Sequence, residues 1–162
     1  MEQVERAHRY LERIRDAYAG VPFRDDGRDY YADDVHSFFV HCHHIGDWVA
    51  TLNTVGVTKK QVDKFVAAHL ELLICADLCN GTKHCRLRKL QTSRQPHVAG
   101  HRLTSSGVSR DDESAPTGTT QCQFEVLAEG QYYDALWLAE SCMRLWDDFV
   151  DGLEHQVGSA ST

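Results

Sequence analysis

Histidine and aspartate side chains are concentrated in the segment VHCHHIGDW, where His43, His44 and Asp47 lie close together. Residues three or four apart share one face of a helix, so His43 or His44 can act with Asp47 on a substrate or a metal ion. His36 lies seven residues before His43. The same spacing also fits a polar helix flank in which one histidine bonds to a core carbonyl.

A second polar group lies in ADLCNGTKH, where Asp77 and Asn80 are three residues apart and His84 follows Gly81. Asp77 falls close to the helix face that carries Leu73, so we expect its carboxylate to face other parts of the protein and not solvent. Such a carboxylate needs a cation, a metal or several hydrogen-bond donors. The alternative is that Asn80 and Gly81 only end a helix and His84 begins a strand.

The charge of the chain is distributed unevenly. Its net charge is -7, yet no Asp or Glu occurs from Leu78 to Arg110, where Lys and Arg recur. The acidic total argues against a general nucleic-acid binder, whereas the basic segment either attracts an anionic substrate or is a solvated loop. The candidate substrate-binding residues in it are Arg86, Arg88 and Lys89.

A carboxylate and histidine metal site, holding iron or zinc between helices, is one hypothesis for these residues. Glu140 would join it from the last helix, although an intrahelical ion pair with Arg144 is the simpler interpretation. The cysteines match no common zinc-ligand spacing, and we interpret them as reduced and mostly buried. The candidate metal ligands are His43, His44, Asp47, Asp77, His84 and Glu140.

Four amphipathic helices are expected to position these residues. Apolar periodicity and capping patterns predict helices from Val4 to Tyr18, from Asp33 or Asp34 to Leu52, from Thr58 to Asn80, and from Asp134 to about Gly152 to Gly158. Alternating polar and apolar residues predict strands in CRLRKLQ and QCQFEVLAEG, with a mobile connection between them.

The expected fold class is therefore mainly α, a four-helix bundle with a β-hairpin inserted between helices 3 and 4. We expect one helical domain over residues 1–155, with the hairpin and its mobile loop at about 84–128, and a disordered tail at 156–162. The sequence begins without a secretory signal pattern and contains no apolar stretch of bilayer length. We expect no membrane association and a cytoplasmic location.

The segment DLCNGTKH, at the end of a long helix, resembles the Arg-Asn-three residues-His motif of HEPN domains. The matching positions are Asn80 and His84, while Cys79 stands at the position of the family's arginine. The resemblance implies a HEPN-like bundle that acts as a homodimer and a metal-independent ribonuclease without a cofactor, in toxin-antitoxin or phage-defence systems. Lys83 or Arg86 would have to stabilise the phosphate charge in place of the family's arginine.

In that interpretation His84 acts as a general acid or base on RNA, Asn80 orients it and Lys83 stabilises the phosphate. The other candidate catalytic residues are Asp77, His44 and Asp47. The motifs HHIGDW and ADLCNGTKH are also similar to those of a group of bacterial and phage proteins without an assigned activity. A third hypothesis is a non-catalytic interaction module whose loop orders on binding a protein partner.

Overall fold

The structure is a computed structural model that describes residues 1–52, 56–83, 87, 89–109 and 117–160. In this part of the chain the helices are α1 (Glu2–Ala19), α2 (Gly27–Leu52), α3 (Lys59–Ala67), α4 (Leu70–Lys83) and α5 (Ala135–Ala160). The strands are β1 (Val21–Pro22), β2 (His97–Ser109), β3 (Thr117–Ala128) and β4 (Gln131–Asp134). Five helices with a four-stranded antiparallel sheet make a mixed α/β fold, so the prediction of a mainly α four-helix bundle with an inserted hairpin is wrong.

The core lies between the long helices and one face of the sheet. Apolar residues at helical spacing on α1, such as Leu11 and Ile14, are buried, as are Phe38 and Phe39 of α2 and Trp146 of α5. This burial removes apolar surface from water and is the main source of stability. Across the described residues, no helix combines the length and the apolar character that crossing a membrane requires.

The third predicted helix is two helices in the structure. Its start is confirmed, because the Thr58 side chain accepts a hydrogen bond from the Gln61 backbone N–H while the Gln61 side chain binds the Thr58 backbone N–H. The helix then ends at Ala68, and the His69 ring contacts the Phe65 carbonyl at 2.8 Å. Apolar periodicity continues across this break, which is why the sequence suggested one element. The break lets α4 take its own direction against α2.

The sheet has the order β1-β3-β2, and β4 pairs with β3 on the side of β1. β3 overlaps the predicted strand QCQFEVLAEG over residues 121–128, begins four residues earlier, and buries alternate residues from Thr120 to Ala128. β2 lies instead in the segment expected to be mobile, and the described residues of CRLRKLQ are not in a strand. The side chains from His101 to Gly107 are all exposed, so β2 is held by backbone pairing with β3 and carries no apolar alternation.

Candidate metal centre

Two histidines of α2 approach one cysteine of α4. The His44 Nδ1 atom lies 3.9 Å from the Cys79 Sγ atom, and the two rings of His43 and His44 stand 5.5 Å apart at 77°. One ligand atom from each of the three side chains lies within 4.8 Å of the other two. Adjacent helical residues do not share a face, but α4 packs against α2 and brings Cys79 near both rings. The three residues form a group of two nitrogens and one sulfur.

The distance between His44 and Cys79 is close to that of two ligands in a tetrahedral metal site. With Zn–N and Zn–S bonds of about 2.0 and 2.3 Å, a nitrogen and a sulfur ligand lie about 3.6 Å apart. The observed 3.9 Å between His44 Nδ1 and Cys79 Sγ is a few tenths of an ångström longer, which a small ring rotation corrects. Cys79 is fully buried and both histidines are half-buried. The group therefore lies at the boundary between the buried core and the partly exposed surface.

A cavity of about 340 Å³ lies beside His43. His43 belongs both to the ligand group and to the cavity wall, and Asp47 and Asn80 line the same space. The volume is near the lower end of the range for small-molecule sites, about 300 to 1,000 Å³. The remaining lining residues are Gly46, Lys59, Val62, Asp63, Val66, Ala67, Leu73, Ala76, Lys89 and Gln91.

Charges of both signs surround the cavity. Lys59 pairs with Asp63 at 3.1 Å and approaches Asp47 at 3.9 Å, and all three side chains are well exposed. The exposed pairs are screened by water and contribute little to stability. Lys89 adds a second cation, and Asn80 adds an amide that can donate or accept. The cavity is thus polar enough to hold a small charged molecule.

Asp77 has a different surrounding from the other candidates. Its side chain is fully buried and accepts hydrogen bonds from the Gln91 N–H, the Thr92 N–H and the Thr92 hydroxyl, at 2.7 to 3.0 Å. A buried carboxylate at Asp77 was expected to need a cation, a metal or several hydrogen-bond donors, and these donors fill that role. Asp77 ties the segment after α4 to the helix, and this connection places Lys89 and Gln91 at the cavity.

Glu140 is placed apart from the other candidates. It accepts a hydrogen bond from Arg15 at 2.9 Å on a half-exposed surface and is not among the described residues lining the cavity. His36 lines a separate cleft of about 220 Å³ with Arg28 and His101. Burial lowers the pKa of His36, and its Nδ1 atom has no hydrogen-bond partner among the described residues.

Several sequence candidates lie outside what the structure describes. These are His84, Arg86 and Arg88, together with the side chain of Lys83, whose backbone ends α4. Of the described candidates, the structure brings His43, Asp47, Asn80 and Lys89 to one cavity, and His44 lies in the ligand group with His43. Cys79 entered the sequence-based prediction only through the HEPN resemblance and as one of several cysteines without a common zinc-ligand spacing. It is separated from His44 by 35 residues, so no local spacing could reveal the pair.

Comparison of the chain with protein-family models, curated proteins and solved structures gave no significant match.

Proposed function

We propose that the protein is a metal-dependent hydrolase whose metal ligands are His43, His44 and Cys79 and whose substrate enters the adjacent cavity. The observation that carries this proposal is the double position of His43, which is part of the ligand group and also of the cavity wall. A metal held there would have its open coordination position near the cavity. Substrate and metal could then meet without a rearrangement of the fold.

The donor set favours zinc, with ferrous iron as the alternative. Imidazole and thiolate ligands suit these ions, whereas magnesium and calcium require oxygen ligands. Catalytic zinc sites use three protein ligands and keep one position for water, and a group of three fits that pattern. A bound metal of this kind lowers the pKa of its water ligand and so supplies hydroxide near neutral pH.

The cavity residues define the kind of substrate. Lys89 and the Asn80 amide supply donors suited to a small anion, such as a phosphate ester or a carboxylate. Asp47 lines the same wall and would accept the proton that the attacking water loses. The same carboxylate could return that proton to the leaving oxygen of the hydrolysed ester.

The proposal is tested by metal analysis of protein purified without an affinity tag. We expect about one zinc or iron per chain in the wild type and a loss of most of it in His44→Ala and Cys79→Ala. Cys122→Ala is the matched control, because Cys122 is also fully buried but lies on β3. Hydrolysis of chromogenic phosphate and carboxylate esters should disappear on chelation and return with zinc. Equal metal content in His44→Ala and Cys122→Ala would contradict the proposal.

A metal-independent ribonuclease is the second candidate. It is favoured by the position of Asn80, the motif residue of the HEPN resemblance, which shares its cavity with Lys59 and Lys89. Two cations beside an amide could bind a phosphodiester. In this case RNA cleavage persists in excess chelator and is abolished by Asn80→Ala and by His84→Ala. The chelator therefore separates the two candidates.

A further inference from the structure

Three cysteine side chains from three helices meet in the core. Cys42 lies on α2, Cys75 on α4 and Cys142 on α5, and all three are at most 1% exposed. Their sulfur atoms lie within 4.8 Å of one another. Elsewhere in the described part of the chain, no three thiols come together in this way. Cysteine is often buried as a small apolar residue, so burial of one thiol needs no explanation. The convergence of three thiols from separate helices is a more specific arrangement.

We propose that Cys42, Cys75 and Cys142 form a binding site for trivalent arsenic, As(III), with one arsenic–sulfur bond to each cysteine. As(III) is a soft centre that takes three thiolates in a pyramid and keeps a lone pair at the fourth corner. Bonds of about 2.3 Å, as in other metal–thiolate sites, hold three sulfurs about 3.5 Å apart. The sulfurs already lie within 4.8 Å of one another, so each has to move by less than about 1 Å, through a modest rotation of its side chain.

The number of thiols selects the charge of the bound centre. Binding through sulfur requires thiolates, so the ligands of the occupied site carry three negative charges. A monovalent ion would leave two of these charges uncompensated, and a divalent ion would leave either one charge uncompensated or one thiol unused. As(III) balances all three thiolates, so the occupied site is neutral as a whole. The surrounding core contains fully buried apolar residues such as Phe39 and Trp146, where a net charge would be costly.

The number of ligands points to the same centre as the charge does. Among the described residues, the group contains three sulfurs and no His, Asp or Glu beside them. Structural zinc sites have four protein ligands, and catalytic ones complete their shell with water. The three cysteines are closed off from solvent and supply neither. As(III) needs no fourth ligand because its lone pair occupies that position.

The binding reaction balances without an oxidant or a reductant. The form of As(III) in neutral water is arsenous acid, As(OH)3, which carries no charge. Each thiol replaces one hydroxyl group: an As–O bond breaks, an As–S bond forms, and the thiol proton leaves with the hydroxyl as water. Three such steps release three water molecules, and arsenic stays in the +3 state. Reactants and product are uncharged, so no net charge has to enter the core.

The first turn of α4 provides a route to the buried sulfurs. The Cys142 thiol donates to the Glu71 carbonyl at 3.4 Å, and the neighbouring Leu70 is 42% exposed. This turn comes directly after the end of α3 at Ala68. The ends of helices open locally at a lower free-energy cost than the core does. A small neutral molecule such as arsenous acid can therefore reach Cys142 without global unfolding.

The test is an anaerobic titration of the reduced, metal-free protein with arsenite, followed by native mass spectrometry. We expect one arsenic per chain and a mass gain of one arsenic atom less three hydrogens, which counts the As–S bonds. Cys42→Ala, Cys75→Ala and Cys142→Ala should each weaken binding by more than about 100-fold, because loss of an outer-shell partner alone costs about 10- to 100-fold. Cys79→Ala and Cys122→Ala should bind arsenite as the wild type does.

X-ray absorption at the arsenic edge of the wild-type complex gives a measurement that does not depend on the folding of any variant. Three sulfur scatterers at about 2.3 Å and no oxygen support the proposal. A shell that contains oxygen or fewer than three sulfurs would overturn it, as would a wild type that binds no arsenic. Binding that is unchanged in the three cysteine variants would also overturn it and leave the thiols as core packing. None of these results bears on zinc at the His43, His44 and Cys79 group, which is measured separately.

Discussion

The Nδ1 atom of His44 lies 3.9 Å from the Sγ atom of Cys79, which joins the middle of α2 to the last turns of α4. The contact forms between a half-buried ring and a fully buried sulfur. A histidine and a cysteine at this distance are either a weak hydrogen-bonded pair or two ligands of one metal ion. The neighbouring His43 ring and the cavity beside it favour the second interpretation.

Removal of the Asp77 carboxylate should strongly destabilise the fold. Asp77→Ala removes the acceptor of the Gln91 and Thr92 donors at a part-buried contact, and we expect a loss of about 2–3 kcal/mol in the free energy of unfolding. The control is Asp63→Ala, which removes an exposed partner of Lys59 and should cost at most about 0.5 kcal/mol. Urea denaturation measures both. Similar values for the two variants would show that Asp77 does not anchor the 91–92 segment.

Stability should fall at strongly alkaline pH because of Tyr18. Burial is the main cause that raises its pKa from 10.0 to about 12, and its hydroxyl donates to the Phe124 carbonyl at 3.0 Å. A raised pKa in the folded state means that this contribution is complete below pH 10 and is lost as the pH rises toward 12. Ultraviolet titration of the wild type should show a phenol that ionises late and is absent in Tyr18→Phe. Tyr10→Phe is the control variant.

Acid should destabilise the protein through His36. Burial lowers its pKa below the ordinary 6.5, so the unfolded chain binds a proton that the folded chain does not. The free energy of unfolding should therefore decrease as the pH falls below about 6.5, and His36→Gln should remove part of this dependence. Guanidinium denaturation between pH 5 and pH 8 measures the slope. An identical slope in wild type and variant would contradict the burial argument.

Two helical glycines should respond in opposite directions to alanine. A Cβ atom at Gly46 would lie 3.1 Å from Val62 Cγ1 and 3.2 Å from the buried Trp146 ring, so Gly46→Ala should destabilise by about 1–2 kcal/mol. A Cβ atom at Gly152 meets nothing within 4 Å, so Gly152→Ala should stabilise by about 0.5–1 kcal/mol through helix propensity. Thermal unfolding compares them. Stabilisation by both changes would mean that α2, α3 and α5 pack less tightly at Gly46 than described.

The sequence identified the helices well because their apolar periodicity is local. The first and last predicted helices match α1 and α5, and Asp134 accepts a hydrogen bond from the Trp137 N–H at the start of α5. The second helix begins at Gly27, before the predicted start at Asp33 or Asp34. Asp34 lies within the helix, where its buried carboxylate pairs with Arg13 of α1. That contact spans 21 residues and is invisible to local patterns.

The sheet was harder to predict because its strands are defined by backbone pairing with residues that are distant in sequence. β2 consists largely of exposed Ser, Thr, Gly and His residues and is defined by its backbone pairing with β3, such as Leu103 with Cys122. Polar composition of this kind normally indicates a loop. β1 and β4 have two and four residues, too few for a periodic signal. The mixed α/β class therefore depended on pairings that a single sequence does not reveal.

Part of the candidate site could be predicted from the sequence. His43, Asp47 and Asn80 were predicted from their types and spacing, and the structure brings them to one cavity. The packing of α4 on α2 could not be predicted from the sequence. This packing makes Cys79 a potential ligand, whereas Asp77 accepts hydrogen bonds from backbone N–H groups.

X-ray absorption spectroscopy at the zinc edge, on protein reconstituted with one equivalent of zinc, shows directly whether His43, His44 and Cys79 bind a metal. We expect two imidazole nitrogens at about 2.0 Å, one sulfur at about 2.3 Å and one further light ligand. The sulfur should vanish in Cys79→Ala and persist in Cys122→Ala. A shell without sulfur, or zinc that stays at substoichiometric occupancy in the wild type, would contradict it.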